Sequence, residues 1–391
     1  MKIMQLGLRD FRSYKKYQAD FGEKTIVTGP NGSGKSNLME AIYLLAVGKS
    51  FRADSDFEMI NYREQFANAQ GSILGAEDGQ TELKVLLTNG SGLGRKKFEV
   101  NGVPKRMMDF VGRFRAVLFG PSDLELVTGR PSERRRYLDF VLSQTDREYH
   151  RCLLSYEKGL RQRNKLLDLI REGTAERSQL WFWDRLLVKN GEYLTGKRGD
   201  YLNELNIKSP IFNVQYDKSV ISEVRLKQYE VEEVAAGSTL VGPHRDDFQV
   251  MQTLMGHNAP SDPPLNFSPP ARVFAVRGGG GSYDYKDVSK YGSRGEQRMA
   301  VLWLKLGELK YLSDSGGDPP YVRQPVLLLD DVFSELDHEH RKGVLTLVNE
   351  QIGRGGQVIM STADEHLVPI DGWEKIDLGG DKMANDGTSL I

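Results

Sequence analysis

Cysteine is all but missing: Cys152 is the single one among 391 residues. A lone thiol excludes an intramolecular disulfide framework and fits a reducing cytosol. Long apolar runs are missing as well, since no stretch approaches the roughly 18 residues that a membrane span needs. The opening MKIMQLGLRDFRSYKKYQADF alternates apolar and charged residues where a signal peptide carries an apolar core. The expectation is a cytoplasmic protein with no membrane partner. Net charge is nearly zero, −1, so any anionic ligand must be met by a local basic patch. Internal repeats and sustained heptads are absent, which excludes solenoids and long coiled coils. What is present suits a soluble globular chain: 39% hydrophobic and 27% charged residues, over a length that allows two or three domains' worth of core.

Residues 2–9 and 24–28 alternate like strands, and VTGPNGSGKSNLMEAIYLLAVG then reads strand, Gly-rich loop, helix. Short alternating stretches recur from 71 to 119, with Asn101-Gly102 as a hairpin turn and RAVLFGPSDL as a strand leaving the core. Character changes at Pro131. From there to about 206 the chain is strongly charged, with apolar residues at helical spacing. Strand patterning returns with IFNVQYD and LVGPHRDDFQVMQ. Residues 256–292, rich in Pro, Gly, Ser and Asp, read as a loop-like insertion with one short strand at 271–276.

The stretch from Gly29 to Ser36 fits G-x-x-x-x-G-K-[ST] between a strand and a helix, the context that motif requires. Its glycines let backbone N–H groups turn inward around phosphate oxygens, and the helix N-terminus adds positive potential. Asn31, Gly32, Ser33, Gly34, Lys35, Ser36 and Asn37 are therefore expected at a nucleotide, with Lys35 on the β- and γ-phosphates and Ser36 on Mg²⁺. PVLLLDD (325–331) reads as a buried parallel strand ending in two carboxylates. Beside a P-loop, Asp330 is expected to hold Mg²⁺ and Asp331 to orient or deprotonate the attacking water. ATP and Mg²⁺ are the ligands this set predicts.

One further polar loop, Ser293-Arg294-Gly295-Glu296-Gln297, precedes a long helical pattern. Ser293 and Glu296 have the capping-box spacing, which is the plainer reading. The same loop also gathers a hydroxyl, backbone N–H groups and a helix dipole facing one way, a second device for an anion.

Together the GPNGSGKSN, SRGEQR and LLLDDVFSELD segments resemble the ABC-type ATPases of the SMC-like group. FRSY (11–14), GKSFR (48–52), FGPSDLELVTGRPSERRRYLD (119–139), LRQRNKLL (160–167) and LVGPHRDDF (240–248) resemble the RecF family within it. The resemblance implies an α/β fold: an ABC-type P-loop ATPase head, mixed sheet plus core parallel strands, with an inserted helical lobe. The lobes expected are 1–130 and 239–391 for the ATPase part, with the insertion at 256–292, and 131–238 for the helical part. It also implies ATP sandwiched in a homodimer, between one subunit's P-loop and the Ser293, Gly295 and Gln297 loop of the other. Slow hydrolysis, binding to gapped or double-stranded DNA, RecR and RecO as partners, and an indirect link to RecA loading belong to the same implication.

Arg52 resembles an arginine that approaches the nucleotide, with a solvated helix-end residue as the alternative; Arg12 is a weaker case of the same kind. For the γ-phosphate sensor the chain offers Thr362 and Asp364. DNA phosphates would be met by Arg130, Arg134, Arg135 and Arg136, then by Arg161, Arg163 and Lys165. Solvated helix faces explain such charge runs equally well. An SMC-like chromosome-tethering head is the competing reading, but residues 131–238 are too few and too irregular for long coiled-coil arms. A transporter's ATP-binding subunit is a third, against which the RecF-type segments speak.

Overall fold

The computed structural model describes residues 1–75, 79–89, 95–207, 211–254, 284–315, 324–334, 338–364 and 372–379. Among them the strands begin with β1 (Lys2–Phe11), β2 (Tyr14–Asp20), β3 (Lys24–Thr28), β4 (Phe66–Leu74) and β5 (Gln80–Thr88). Next come β6 (Arg95–Val100), β7 (Val103–Lys105), β8 (Ala116–Phe119), β9 (Phe212–Asp217) and β10 (Asp247–Leu254). The last are β11 (Asp284–Asp287), β12 (Val326–Asp330), β13 (Val358–Thr362) and β14 (Glu374–Asp377). The chain divides into two compact units, Met1–Ser122 with Glu308–Ile391, and Asp123–Gly307.

The first unit holds an antiparallel sheet, β2-β1-β4-β5-β6-β7, and a parallel one, β14-β3-β13-β12-β8. β12 is fully buried with a parallel neighbour on either side, which is why its sequence is a continuous apolar run. The P-loop helix, Lys35–Val47, packs on strands of both sheets, and every residue from Leu38 to Val47 is buried. A helix enclosed this way is apolar nearly all round. It passes close to Gly71 of β4, where a Cβ would stand 2.6 Å from Leu45 Cδ1. Asn101 and Gly102 join β6 to β7 with positive φ of 50° and 75°, as a two-residue hairpin needs.

The second unit is built on the helices Pro131–Ser143, Arg147–Arg171 and Trp181–Ile207, with the antiparallel sheet β11-β10-β9. Pro131 opens the first helix, and Asp146 caps the second by accepting from Tyr149 N. Arg198, only 2% exposed, ties helices to sheet: it donates to Asp139, to Pro243 O and to Asp246. Asp246, fully buried, also accepts from Tyr216 Oη and Ser219 N. The GPHRDD stretch is thus a structural knot inside this unit.

Two expectations change here. The second unit runs to Gly307, so β10, β11 and the Ser293 loop group with the helices and β9, and not with the P-loop part. Part of the physical reason is a buried ion pair between Arg198 of the helix Trp181–Ile207 and Asp246, the residue before β10. The segment expected as a loop to 292 is ordered at its end. β11 pairs with β10, and Asp287 caps the short helix Val288–Tyr291 through Ser289 N. The expected strand at 271–276 and the rest of 255–283 lie outside the described residues, as do 335–337.

Candidate nucleotide site and basic surface

β3 ends at Thr28 and the chain turns through Gly29 (φ 147°), Gly32 (80°) and Gly34 (108°) into the P-loop helix. These are conformations that L side chains rarely adopt. A Cβ on Gly34 would also stand 2.8 Å from Tyr14 Oη, which donates to Gly34 O at 3.1 Å. Burial pushes the Tyr14 phenol well above its ordinary range, with neighbouring Tyr17 adding to the effect, so it stays a donor. The Lys35 ammonium, 7% exposed, donates to Gly29 O (2.6 Å) and Pro30 O (3.1 Å) inside the loop. Asn31 and Gly32 form its exposed tip. The buried hydroxyls of Ser33 and Thr28 find no hydrogen-bond partner among the described residues. A cradle with unused polar atoms, an ammonium and a helix N-terminus fits a polyphosphate.

Asp330, at the end of β12, is 6% exposed. Its Oδ1 accepts from Ser36 Oγ (3.1 Å) and from Ser361 Oγ (2.6 Å), the latter at the end of β13. Asp331 follows with φ 50°, and its N–H donates to Ser361 O and Oγ at 3.1 Å each. Left-handed backbone at a non-glycine costs about 1–3 kcal/mol and marks a turn whose geometry the surroundings impose. The hydroxyl and carboxylate at Ser36 and Asp330 fit Mg²⁺, which takes one or two protein oxygens plus phosphates and water. Among the described residues no three His, Cys, Asp or Glu side chains gather for a metal, so phosphates would complete the coordination.

Arg52 does not stand free at the helix end. It bonds Asn37 Oδ1 and donates to Glu40 Oε2 at 2.7 Å. Arg12 grips the same carboxylate with two bonds of 2.8 and 2.7 Å. Thr362 and Asp364 close a local turn on each other, Thr362 Oγ1 donating to Asp364 O and accepting from Asp364 N. Sequence reasoning missed Glu40, Ser361 and Tyr14. Glu40 had a signal, as the one charged residue between Leu38 and Val47; the other two had none.

In the second unit the Ser293 loop opens the helix Arg294–Asp314 with a reciprocal capping box. Ser293 N donates to Glu296 Oε2 (2.7 Å) and Glu296 N to Ser293 Oγ (3.3 Å). A hydrogen bond from Lys286, at 2.5 Å, and then the Ser293 N–H pull the Glu296 pKa down to about 2. Gln297 Nε2 reaches Val288 O and Ser289 O, while Ser293 and Arg294 are exposed and Gly295 is half-buried. The plain capping role is therefore present, and it leaves the serine facing solvent.

Two of the arginines expected at DNA are committed elsewhere. Arg134, 8% exposed, forms a bidentate pair with Asp247 (2.6 and 3.0 Å) and donates to Gly129 O. Arg163, 2% exposed, is held by Asp184, Glu233 and Thr239. Each of the two is buried and makes three bonds within its own unit, whereas the DNA reading asks for exposed charge. Arg135 donates to Asp246 O, and Arg136 lies over the Phe140 ring. Arg130, Arg161 and Lys165 are exposed, and Lys158 joins the last two on one helix face.

The RecF/RecN/SMC N terminal domain matches residues 2–371. A DNA replication and repair protein RecF from Roseiflexus castenholzii is 35% identical, over 88% of this chain and 89% of its own. That of Moorella thermoacetica is 34% identical, over 94% and 92%. Among solved structures, the recombination mediator protein RecF-ATP of the RecFOR pathway has a TM-score of 0.76 at 29% identity, covering 94% of this chain and 93% of its own. The structure of that mediator with ATPrS gives the same score over 97% and 96%. With an ABC-type P-loop head and matches that span nearly its whole length, the chain belongs to the RecF family of DNA replication and repair proteins.

Proposed function

We propose that the protein is an ATP-dependent DNA-binding protein of recombinational gap repair, acting in the cytoplasm as an ATP-sandwiched homodimer that hydrolyses ATP slowly. The observation that carries the reading is the meeting of Ser36 and Asp330 at 3.1 Å beside a glycine-shaped loop that encloses the Lys35 ammonium. In this role Lys35 neutralises the β- and γ-phosphates, while Ser36 and Asp330 hold Mg²⁺, which supplies charge neutralisation at the transferred phosphoryl group. Asp331 orients water and takes its proton. Asn31, Gly32, Ser33, Gly34 and Asn37 line the phosphates, and Ser293, Gly295 and Gln297 close the site from the other subunit. DNA near single-strand junctions, RecR and RecO are the partners, with RecA loaded as the outcome. Similarity to RecF proteins over nearly the full length favours this reading over a chromosome-tethering head, which needs long arms.

Two variants test it. Lys35→Ala removes the cation from a site built around phosphate and should lower affinity for Mg-ATP by 100-fold or more, by an order-of-magnitude estimate for a charged contact. Asp331→Asn should keep binding but slow hydrolysis, leaving a nucleotide-bound dimer visible by light scattering. Unchanged affinity in the first variant, or fast turnover in the second, would remove these roles.

A further inference from the structure

β13 runs through Val358, Ile359, Met360 and Ser361, none of which has exposed surface. A hydroxyl in such a place is costly unless it is hydrogen-bonded, so a fourth apolar residue would be the simpler choice. The register explains the serine. Ser361 stands beside Asp330 of the parallel neighbour β12, and residues in register present their side chains to one face of the sheet. Ser361 Oγ donates to Asp330 Oδ1 at 2.6 Å and accepts from Asp331 N at 3.1 Å. One proton and one lone pair thus tie together the two consecutive acids at the end of β12.

Ser36 Oγ donates to the same Oδ1 at 3.1 Å, so two hydroxyl protons converge on one oxygen of Asp330. Among the described residues no donor bonds the other oxygen, Oδ2. The two bonds come from different elements, the P-loop helix and β13, and together they fix the rotation of the carboxylate. A hydroxyl that gives its proton away keeps its lone pairs for a cation, which is the state Ser36 needs beside Mg²⁺. Asp331 is held from the same side. Its φ of 50° is a strained conformation, and its N–H lies 3.1 Å from both the carbonyl oxygen and the Oγ of Ser361.

We propose that Ser361 is a positioning residue of the nucleotide site, fixing the rotation of the Asp330 carboxylate and the turn that carries Asp331, so that the acidic pair meets cation and water already oriented. This rests on the P-loop reading above. A carboxylate ordered in advance loses no further freedom when the metal arrives, and the partners of a ligating group tune its affinity for the ion. A merely structural hydroxyl, satisfying a polar spot at the end of a strand, would contribute stability and leave the dependence on metal unchanged.

The test uses the full chain with Mn²⁺ in place of Mg²⁺, so that electron paramagnetic resonance reads the metal bound in the presence of ATP. Calorimetry gives ATP affinity in EDTA, and melting temperature is followed in parallel. Ser361→Ala removes the hydroxyl and adds no volume. It should weaken Mn²⁺ binding by roughly 10-fold, as loss of a ligating group's own partner does, and leave ATP affinity in EDTA unchanged. Ser361→Thr keeps the hydroxyl and should bind Mn²⁺ as the parent chain does. If either variant does not fold, Ser361→Cys, close in size with only a weak donor, takes its place and should lose part of the Mn²⁺ affinity and none of the ATP affinity in EDTA. A lowered melting temperature with unchanged Mn²⁺ affinity, or an equal loss in Ser361→Thr, overturns the proposal. Lys35→Ala separates the two levels. Full ATP affinity in that variant removes the P-loop reading itself, whereas its loss beside unchanged Mn²⁺ binding in Ser361→Ala removes only the role of Ser361.

Discussion

His244 is a neutral base locked by its surroundings. Its Nδ1 lies 2.8 Å from Tyr156 Oη and its Nε2 3.0 Å from Thr239 O. The carbonyl only accepts, so Nε2 carries the proton and Tyr156 donates to Nδ1. Burial pushes the imidazole pKa down to about 4, and Arg245 and Arg135 add to that push, while the Thr239 carbonyl and Asp246 oppose it. The folded value lies below that of the unfolded chain, near 6.5, so the unfolded chain binds the proton first. The contribution of His244 is complete above about pH 6.5 and is lost as pH falls toward 4, a matter of about 2 kcal/mol after allowance for its partial exposure. Melting temperature measured across that window should fall, and His244→Gln, which cannot take the proton, should flatten the fall. An equally steep fall in that variant would place the acid sensitivity elsewhere.

The helix Arg147–Arg171 shows how much of an element can be read from spacing alone. Leu153, Tyr156, Gly159, Arg163 and Leu167 recur at helical intervals, and all five are buried. Arg163 belongs to that stripe by position, so its spacing already set it inside, against the expectation that its charge would reach DNA. Lys158, Arg161 and Lys165 recur on the opposite, exposed face. The P-loop and the β12 strand were equally legible, because each combines a periodic core with a motif of fixed spacing. Other features were not. Ser361 meets Asp330 only because β13 lies beside β12, and β9 pairs with β10 across some 30 residues of intervening chain. Such pairings depend on the closed fold and leave no local pattern. The exposed stripe carries a prediction of its own. Changing Lys158, Arg161 and Lys165 together to Gln should reduce the slope of log affinity against log salt by roughly 2–3 for duplex DNA with a gap. Fluorescence anisotropy at several salt concentrations measures it; an unchanged slope with intact helicity would move the DNA surface away from this face.

At the scale of the molecule the P-loop and the Ser293 loop belong to different units of the chain. The first carries its own hydroxyl, carboxylate and ammonium; the second carries a satisfied capping box whose serine is exposed. In the proposed dimer the exposed face of that loop, at Ser293 and Arg294, is the one a second copy would meet. Ser293→Arg should then spare nucleotide binding by the monomer but block ATP-driven dimerisation, because it places bulk and charge at a helix N-terminus. Mixing sharpens the test. In a linked heterodimer of Lys35→Ala with Ser293→Arg, one composite site takes both defects while the other keeps Lys35 and Ser293 intact. If the loop serves the partner's nucleotide, that heterodimer should regain ATP-dependent association and part of the hydrolysis that neither homodimer shows. If the serine only caps its own helix, both halves stay impaired and the variant loses melting temperature instead, since removing such a cap costs about 1 kcal/mol. Association measured with ATP and with ADP separates the outcomes, because a cap owes nothing to the γ-phosphate and a shared site depends on it.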